Sequence, residues 1–288
     1  MENRIPFRRV AVIGTGLVGG SFALALRGRF PEISVIGFDR ADQINCARAR
    51  SAVEETATDI GAALRGADLV YLALPIGATL AALPALGASV EPYALITDAC
   101  STKAVVCRAA QSQFRTEARF LGGHPMAGKE RSGIENANAE LFRGAPYALI
   151  GAEDDSDPRV REFVRLLLAI GAQPVWCDAA THDWAVGIVS HLPQLVSVAL
   201  ARVVQDETDE TGLPLALAGQ GLQDTLRLAG SPYRVWRDIF LTNKDNISRA
   251  LDRLAQAVDH LRTHIASKEL EQEFQAANEL YKLLRKPY

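Results

Sequence analysis

The chain has 288 residues, of which 48% are hydrophobic and 23% are charged, and its formal net charge is −3 at pH 7. The length is long for one domain and suits two, and the composition is ordinary for a soluble globular protein. The slightly acidic balance argues against a nucleic-acid-binding surface, which needs a basic face. The four cysteines form no C-x-x-C pair. They indicate free thiols in a reducing compartment, so we expect a cytoplasmic protein without a metal site.

Two apolar stretches imitate export or membrane segments. Residues 10–26 follow two arginines, but the glycines in this stretch would weaken a helix. Residues 69–90 carry no charge and are long enough to span a bilayer, but Pro75 and Pro84 divide them. We interpret both as buried elements of a globular fold and expect no contact with a membrane.

The first predicted element is a buried strand at residues 9–13, followed by Gly14-Thr-Gly16-Leu17-Val18-Gly19 and a helix pattern. A G-x-G-x-x-G run between a strand and a helix is typical of a dinucleotide-binding turn. The first glycine permits the turn, the second lets a pyrophosphate approach the backbone, and the third lets the helix pack closely. The amides that open the helix, including those of Leu17 and Val18, would then bind the phosphates.

A second strand, at residues 33–38, ends at Asp39, which lies 20 positions beyond Gly19. A carboxylate there accepts hydrogen bonds from a ribose diol and repels a 2′-phosphate, so we predict NAD as the cofactor. Arg40 could instead bind that phosphate, which leaves NADP possible. An acidic turn residue without a ligand is the alternative for Asp39.

Further strands are predicted at residues 67–75, 93–98, 118–121, 146–150 and 173–177, with helices between them. This alternation predicts an α/β fold with a Rossmann-type, doubly wound, mainly parallel sheet. Such sheets bind ligands at the carboxyl ends of their strands. Leu74, Pro75, Ser101 and His124 all fall just past predicted strand ends, so we expect them to line that crevice.

His124 is the principal candidate for catalysis. It follows Gly122-Gly123, and Pro125 biases it toward an extended backbone. A histidine held in this way is suited to proton transfer near neutral pH. A buried structural histidine is the alternative.

After Asp178 the pattern is helical, so we place a domain boundary there, with residues 1–178 in a dinucleotide-binding domain and 179–288 in a helical domain. Thr181 is predicted to cap a helix over residues 182–205 that is apolar nearly all round and therefore buried. Pro193 should kink this helix.

Several polar side chains of the helical domain need partners. Ser190, His191 and Gln194 lie near the predicted kink, where either a core hydrogen bond or a ligand would satisfy them. Arg227 lies on an apolar predicted helix and must meet a carboxylate of the protein or of a substrate.

A later segment has apolar residues at alternating spacings of four and three: Ile247, Leu251, Leu254, Val258, Leu261 and Ile265. This is an a/d seam, which is typical of a core or a subunit interface and suggests a homodimer.

Taken together, these motifs resemble those of the prephenate/arogenate dehydrogenases of tyrosine biosynthesis, over nearly the whole chain. The similarity rests on the glycine fingerprint, Asp98-x-x-Ser101-x-Lys103, Gly123-His-Pro-Met-Ala-Gly128 with Glu130 and Gly133, Ser190-His-Leu-Pro193, and Arg227 leading to Trp236-Arg-Asp-Ile-Phe240. The resemblance implies NAD(P)-dependent oxidative decarboxylation of a cyclohexadienol and a helical domain that dimerises.

The resemblance also implies roles for single residues. It assigns acid/base catalysis to His124 with help from Ser101, and binding of the substrate carboxylate to Arg227. The other implied substrate-binding residues are Ser190, His191, Gln194, Lys129, Glu130 and Trp236. Many relatives have histidine where this chain has Gln194, near the substrate's side chain, so prephenate, arogenate and an amino-substituted prephenate analogue all stay open.

Two other functions are compatible with a dinucleotide domain followed by helices. A 3-hydroxyacid or imine dehydrogenase has a similar layout but gives no reason to pair His124 with Arg227. A non-catalytic NAD-sensing protein would bind NAD saturably and form no NADH from any cyclohexadienol.

Overall fold

The computed structural model describes residues 7–114, 118–128 and 131–285. Its strands are β1 (Arg9–Ile13), β2 (Ser34–Phe38), β3 (Glu55–Thr56), β4 (Leu69–Leu72), β5 (Leu95–Asp98), β6 (Arg119–Pro125), β7 (Pro146–Ile150) and β8 (Gln173–Cys177). They form one eight-stranded sheet in the order β3-β2-β1-β4-β5-β6-β7-β8. Neighbours are parallel except for β6 and β7, which are antiparallel. The strand order reverses between β1 and β4, which confirms the doubly wound, mainly parallel sheet.

Helices cover both faces of this sheet. They are α1 (Leu17–Arg29), α2 (Ala41–Ala49), α3 (Ile60–Leu64), α4 (Ile76–Ser89), α5 (Ala104–Gln113) and α6 (Pro158–Ala169). Along β1, Val10 and Val12 belong to one hydrophobic core, and Ala11 and Ile13 belong to a second one. Because alternate residues of a strand face opposite sides, the sheet is buried on both faces, as its continuous apolar strands predict.

The second half is helical, as predicted. Its helices are α7 (Ala179–Val186), α8 (Leu192–Asp206), α9 (Leu213–Ala216), α10 (Gln220–Leu226), α11 (Tyr233–Thr242), α12 (Lys244–Thr263) and α13 (Glu269–Leu284). A π-helical turn, Gly187–His191, joins α7 to α8, and a 3₁₀ turn, Arg227–Gly230, follows α10.

The start and the continuity of the predicted helix over residues 182–205 are wrong. Asp178, not Thr181, caps α7, because its carboxylate accepts hydrogen bonds from the backbone amides of Ala180 and Thr181, both at 2.9 Å. The helix therefore begins earlier, at Ala179. The π turn then interrupts it just before Pro193, which has no amide hydrogen to continue the α-helical ladder.

The expected burial of this helix is also wrong for the single chain. Trp184, Val189 and Val203 are 55%, 66% and 57% exposed. The run Ala179–Asp206 is long and apolar enough to cross a membrane by length and composition alone, and only 28% of its most apolar window is buried. An exposed apolar face of this extent marks an interaction surface.

The a/d seam of α12 divides into two parts. Ile247, at its start, is 5% exposed and packs into the chain's own core. Val258 and Leu261 are 54% and 41% exposed, and Ile265 lies beyond the end of the helix. Most of the seam therefore forms an apolar face that the described part of the chain does not cover.

Candidate active site

The glycine turn between β1 and α1 has the shape that a dinucleotide requires. Gly14 has φ +91°, and a Cβ on it would lie 2.5 Å from the carbonyl oxygen of Ala73. A Cβ on Gly19 would lie 1.9 Å from the carbonyl oxygen of Gly14, so α1 can approach the turn only with glycine at this position. A Cβ on Gly16 would meet nothing within 4 Å. The space beside Gly16, at the half-buried Leu17 and Val18 that open α1, suits a pyrophosphate.

Asp39 lies against the same turn. Its carboxylate accepts hydrogen bonds from the Thr15 amide (2.6 Å), the Thr15 hydroxyl (3.2 Å) and the Arg40 amide (2.7 Å). The Arg40 side chain is exposed and lies 3.8 Å from the Asp42 carboxylate. Asp39, which is predicted to bind a ribose, therefore lies next to the phosphate-binding turn, and the guanidinium of Arg40 lies in solvent.

Leu74 and Pro75 follow β4 on the other side of the turn. A Cβ on Gly14 would lie 3.0 Å from Cδ2 of Leu74, and Pro75 immediately precedes α4. Both residues therefore lie at the carboxyl edge of the sheet beside the glycine turn.

His124 lies within β6 and not beyond its end, which corrects the predicted position. The antiparallel partner β7 extends the strand, pairing Gly123 with Leu149 and His124 with Ala148. The glycine at position 123 does not break the strand. A Cβ there would lie 2.6 Å from the carbonyl oxygen of Asp98, so this glycine allows β5 and β6 to pack closely.

A chain of three side chains begins at His124. Its Nδ1 lies 2.9 Å from Nε2 of His182, and Nδ1 of His182 lies 2.8 Å from the Asp183 carboxylate. A carboxylate only accepts hydrogen bonds, so His182 donates from Nδ1, and a neutral His182 then accepts at Nε2 from His124. This arrangement fixes the tautomer of neutral His124 and assigns its lone pair to Nε2. His124 is therefore oriented to take up a proton at Nε2.

A fully buried ion pair holds the backbone before His124. The Lys103 ammonium contacts the Asp98 carboxylate and donates to the Gly123 carbonyl at 2.7 Å. The Gly123 amide donates to Asp98 at 3.1 Å. The pair therefore binds both polar groups of Gly123, and the strand cannot shift at His124 without breaking hydrogen bonds to two buried charges.

Two carboxylates of the helical half cap helices of the first half. Asp183 accepts hydrogen bonds from the amides of Lys103 (2.7 Å) and Ala104 (2.9 Å), where α5 begins. Asp238 accepts from the Gly77 amide in the first turn of α4 at 2.9 Å. This hydrogen bond, followed by that of Arg237, lowers the pKa of Asp238. Both contacts stabilise helix N-termini and join the two halves, and Asp183 does so next to the His182 ring that contacts His124.

The electrostatics keep His124 and His191 neutral. Burial, followed by the nearby His182, Lys103 and His191, lowers the pKa of His124 well below its ordinary value of 6.5. Burial also lowers the pKa of His191, to about 4, although Asp183 opposes this shift. Burial alone would lower the pKa of Lys103, but Asp98 reverses this and raises it, so the ammonium stays charged. A neutral His124 can act as a base at physiological pH.

His191, the last residue of the π turn, and Gln194, in the first turn of α8, are both buried. The Asn243 amide lies 3.2 Å from Nδ1 of His191 and also donates to the Asp183 carbonyl at 2.7 Å. The His191 ring lies edge-on to the Trp236 ring, with 6.0 Å between centroids. Gln194 is 3% exposed. Asn243 and His191 therefore extend the polar cluster of His182 and Asp183 to the start of α8.

Ser190, Ser101 and Arg227 lie in less enclosed positions. Ser190 is half-buried within the π turn, and Ser101 is half-buried in the loop between β5 and α5. Arg227 starts the 3₁₀ turn and is exposed. The expectation that Arg227 lies on the apolar predicted helix is therefore wrong, because α10 ends just before it. Lys129 and Glu130 lie outside the described residues.

The local sequence pattern predicts no role for His182, Asp183 or Asn243, and Asp98 and Lys103 stand out only as parts of a motif. A detectable signal was the adjacent His182-Asp183 pair just after the last strand. The contact of this pair with His124, 58 positions earlier in the chain, depends on tertiary packing that no local pattern reveals.

The family models for prephenate dehydrogenase match this chain in both halves. The nucleotide-binding domain matches residues 22–176, and the dimerization domain matches residues 178–285. Prephenate dehydrogenase of Bacillus subtilis (strain 168) is 32% identical over 267 residues, which is 92% of this chain and 72% of that protein.

Two solved structures are similar over almost their full length. Prephenate dehydrogenase from Aquifex aeolicus, in complex with hydroxyphenyl propionate and NAD+, has 28% identity and a TM-score of 0.85, covering 96% of this chain and 97% of that chain. Synechocystis arogenate dehydrogenase has 32% identity and a TM-score of 0.79, covering 96% of this chain and 99% of that chain. With its glycine turn, its buried neutral histidine and both domains matched, the chain belongs to the prephenate dehydrogenase family.

Proposed function

We propose that this chain catalyses the NAD-dependent oxidative decarboxylation of a cyclohexadienol, prephenate or arogenate, in tyrosine biosynthesis. The relatives named for these two substrates support the reaction class. The observation that carries the proposal is the hydrogen-bonded series His124–His182–Asp183, which fixes a neutral base between the dinucleotide-binding sheet and the helical half.

Gly14, Gly16, Gly19 and the first amides of α1 would hold the pyrophosphate, and Asp39 would hold the adenosine ribose. The steric space at Gly16 supports this assignment. NAD is favoured because the Asp39 carboxylate would repel a 2′-phosphate. When bound, NAD+ supplies the acceptor for the hydride that leaves the ring carbon.

His124 accepts the proton of the ring hydroxyl at its Nε2. At the same time, a hydride leaves the ring carbon that carries this hydroxyl. The developing imidazolium is stabilised by its hydrogen bond to His182 and, through His182, by the Asp183 carboxylate. Loss of the ring carboxylate as CO2 then leaves its electron pair in the ring, which becomes a phenolate and takes the proton back from His124. Because aromatisation drives the reaction, the protein mainly has to orient the substrate and hold the base.

Ser101, in the loop after β5, would assist His124 through a hydrogen bond to the substrate hydroxyl. Arg227 would bind a substrate carboxylate, and Ser190, His191, Gln194 and Trp236 would complete the substrate site. We assign Lys129 and Glu130 to this site on the resemblance alone.

We further propose a cytoplasmic homodimer with a domain boundary near Asp178. The adjoining limits of the two family models, at residues 176 and 178, support the boundary. The exposed apolar faces of α7, α8 and α12 support a second copy of the chain as their cover, as does the dimerization-domain family. Burying these faces against a second copy would remove the apolar surface that could otherwise meet a membrane.

The test is NADH or NADPH formation from prephenate and from arogenate, measured side by side. We expect turnover with NAD and at least one of the two substrates, and weaker turnover with NADP. Saturable NAD binding without NADH formation from either substrate would contradict the proposal and favour a sensing protein.

A further inference from the structure

Helix α11 contacts the first half of the chain beside two turns at the carboxyl edge of the sheet. The first turn, at residues 73–75, joins β4 to α4, and the second, at residues 99–103, joins β5 to α5. A doubly wound sheet holds its dinucleotide at this edge, and a Cβ on Gly14 would lie 3.0 Å from Cδ2 of Leu74 in the first turn. Helix α11 therefore adjoins the walls of the proposed cofactor site.

The contact beside the first turn is a hydrogen bond from Gly77 to Asp238. The Gly77 amide donates to Oδ2 of Asp238 at 2.9 Å, across 161 positions of the sequence, and Asp238 is 8% exposed. Pro75, the N-cap residue of α4, has a hydrocarbon ring that can accept no hydrogen bond, so α4 receives its capping carboxylate from the helical half. A Cβ on Gly77 would lie only 3.0 Å from the same oxygen, so glycine allows this close approach.

The contact with the second turn is made by Thr242, one helical turn after Asp238 on the same face of α11. The Thr242 hydroxyl donates to the Asp238 carbonyl, which can only accept, at 2.7 Å. Thr242 therefore accepts from the hydroxyl of Thr102, which lies 2.8 Å away and is fully buried. Thr102 immediately follows Ser101, which is proposed to assist the base.

Apolar side chains of α11 complete both contacts and extend them to the proposed substrate site. Ile239 packs in one core cluster with Ile76, which opens α4, and Cys100 of the second turn. Trp236 packs against this cluster, and its ring lies edge-on to the His191 ring, with 6.0 Å between centroids. One helix therefore carries a residue of the proposed substrate site and the contacts that hold both cofactor turns.

We propose that Asp238 is a positioning residue that couples the binding of substrate to the binding of the dinucleotide. A substrate held beside Trp236 restrains α11, and a dinucleotide against the two turns restrains the start of α4. The hydrogen bond from Gly77 to Asp238 joins these restraints, so the ligand that binds first lowers the ordering cost for the second. The effect is reciprocal, because it is one free energy shared by two sites. This inference rests on the proposed function and adds to it a residue that contacts neither reactant.

The experiment measures the Kd of NADH by fluorescence, without substrate and with a saturating concentration of prephenate or arogenate, whichever the wild type oxidises. NADH already carries its hydride, so the ternary complex forms without reaction. The ratio of the two Kd values is the coupling factor, and for the wild type we expect about fivefold or more. In Asp238→Ala this ratio should fall toward one. The Kd of NADH alone should change by less than about threefold, because the glycine turn and Asp39 are intact.

Two further variants test the same hydrogen bond from its two sides. Asp238→Asn keeps an oxygen that can accept from the Gly77 amide, and the side chain of Arg237, which is 60% exposed, can turn into solvent, so the coupling should be retained. Gly77→Ala raises the helix propensity of α4 but displaces Oδ2 of Asp238, so the coupling should fall without loss of stability. Gly77→Ala decides the question if Asp238→Ala does not fold.

Asp157→Ala is the matched control for the loss of a helix cap. The Asp157 carboxylate caps α6 in the same half by accepting from the Arg159 amide at 2.8 Å. This helix begins at the opposite edge of the sheet, where the Arg159 side chain donates to the carbonyl of Ala94, just before β5. Both Asp157→Ala and Asp238→Ala should lower the unfolding midpoint, but only Asp238→Ala should lower the coupling factor.

The outcomes distinguish this inference from the proposed function. The inference is overturned, and the proposed function stands, if the wild type oxidises a substrate but its coupling factor is one. The same holds if Asp238→Ala, or Gly77→Ala in its place, keeps the wild-type factor, or if Asp157→Ala loses it equally. If neither prephenate nor arogenate yields NADH from NAD, the proposed function fails and this inference fails with it.

Discussion

His124 combines a burial that keeps it neutral with a partner that can share its charge. Its pKa lies well below 6.5, so proton uptake is favourable only when the substrate's hydroxyl releases a proton during hydride transfer. Its Nδ1 is held by His182, which leaves Nε2 as the basic atom. The sequence indicated the histidine and its extended backbone, but His182 and His191, two of the residues that lower its pKa, come from the other half of the chain.

Replacing His124 with asparagine should lower kcat by at least about 100-fold, because a positioned base contributes 10²–10⁴-fold. The asparagine amide can still donate toward His182, so the fold and the affinity for NAD should change little. NADH formation and NAD titration measure the two effects. Near-normal turnover in this variant would show that His124 is not the base.

His191 makes the stability of the protein depend on pH. Its pKa is about 4 in the folded chain, against 6.5 for an ordinary histidine, so the unfolded chain binds more protons between these values. The stabilising effect of a neutral His191 is therefore present above pH 6.5 and is lost as the pH falls toward 4.

From pH 7.5 to pH 5, this residue alone should lower the free energy of unfolding by about 2 kcal/mol. Glutamine at position 191 does not titrate, so His191→Gln should show a pH dependence that is weaker by that amount. Urea unfolding of both proteins at the two pH values measures the difference. Parallel pH dependences would exclude His191 as the source.

At the scale of single elements, the sequence predicted the strands of the sheet, because buried parallel strands are continuous apolar runs with clear ends. It misplaced the end of β6. Glycines at 122 and 123 look like a break, yet β7 pairs with this stretch and continues the strand through His124. The predicted start of α7 was also misplaced. The Asp178 carboxylate accepts hydrogen bonds from the amides of Ala180 and Thr181, so the helix is capped three residues before Thr181.

The glycine turn offers a matched pair of element-scale variants. In Gly16→Ala the added Cβ meets open space, so stability should change by less than about 1 kcal/mol. The methyl group would occupy the path of the pyrophosphate, so we expect the Kd for NAD to rise about tenfold or more. Unchanged affinity would remove Gly16 from the cofactor site.

Gly19→Ala is the contrasting variant. Its Cβ would lie 1.9 Å from the Gly14 carbonyl oxygen, which must move together with α1. Overpacking of this kind should destabilise the fold by about 2–3 kcal/mol. Thermal unfolding of both variants, measured in the absence of NAD, separates the packing effect from the loss of ligand binding.

At the scale of the whole molecule, the exposed apolar residues are concentrated in the helical half. Leu251, Val258 and Leu261 lie on the α12 seam, and Trp184 and Val189 lie on the α7–α8 run. The sequence pattern predicted this seam but could not decide between a core and an interface, because both use the same a/d spacing. The exposure of the seam in the single chain favours the interface.

A negative charge on this seam should therefore dissociate the proposed dimer. Val258→Glu would place a carboxylate in the apolar face, and we expect the mass in solution to change from two chains to one, with loss of activity if the dimer shapes the site. Tyr93→Glu is the matched control, because Tyr93 is equally exposed, at 53%, but lies in the first half. Light scattering at equal protein concentration gives the mass. A Val258→Glu protein that stays dimeric would place the interface elsewhere.

The capping contacts of Asp183 have a consequence for evolution and for engineering. One carboxylate ends the proton-sharing series from His124 and also satisfies the amides that open α5. A nucleotide-binding half produced alone would lose both the Asp183 cap of α5 and the His182 imidazole beside His124. It should therefore bind the dinucleotide but catalyse no reaction. A chimera with a helical half from another protein would be active only if that half placed its own histidine–aspartate pair against His124 and the start of α5. The two halves therefore act as one catalytic unit, and Ile239 and Ile247 of the helical half also pack in a core cluster with Ile76, Cys100 and Val106 of the first half.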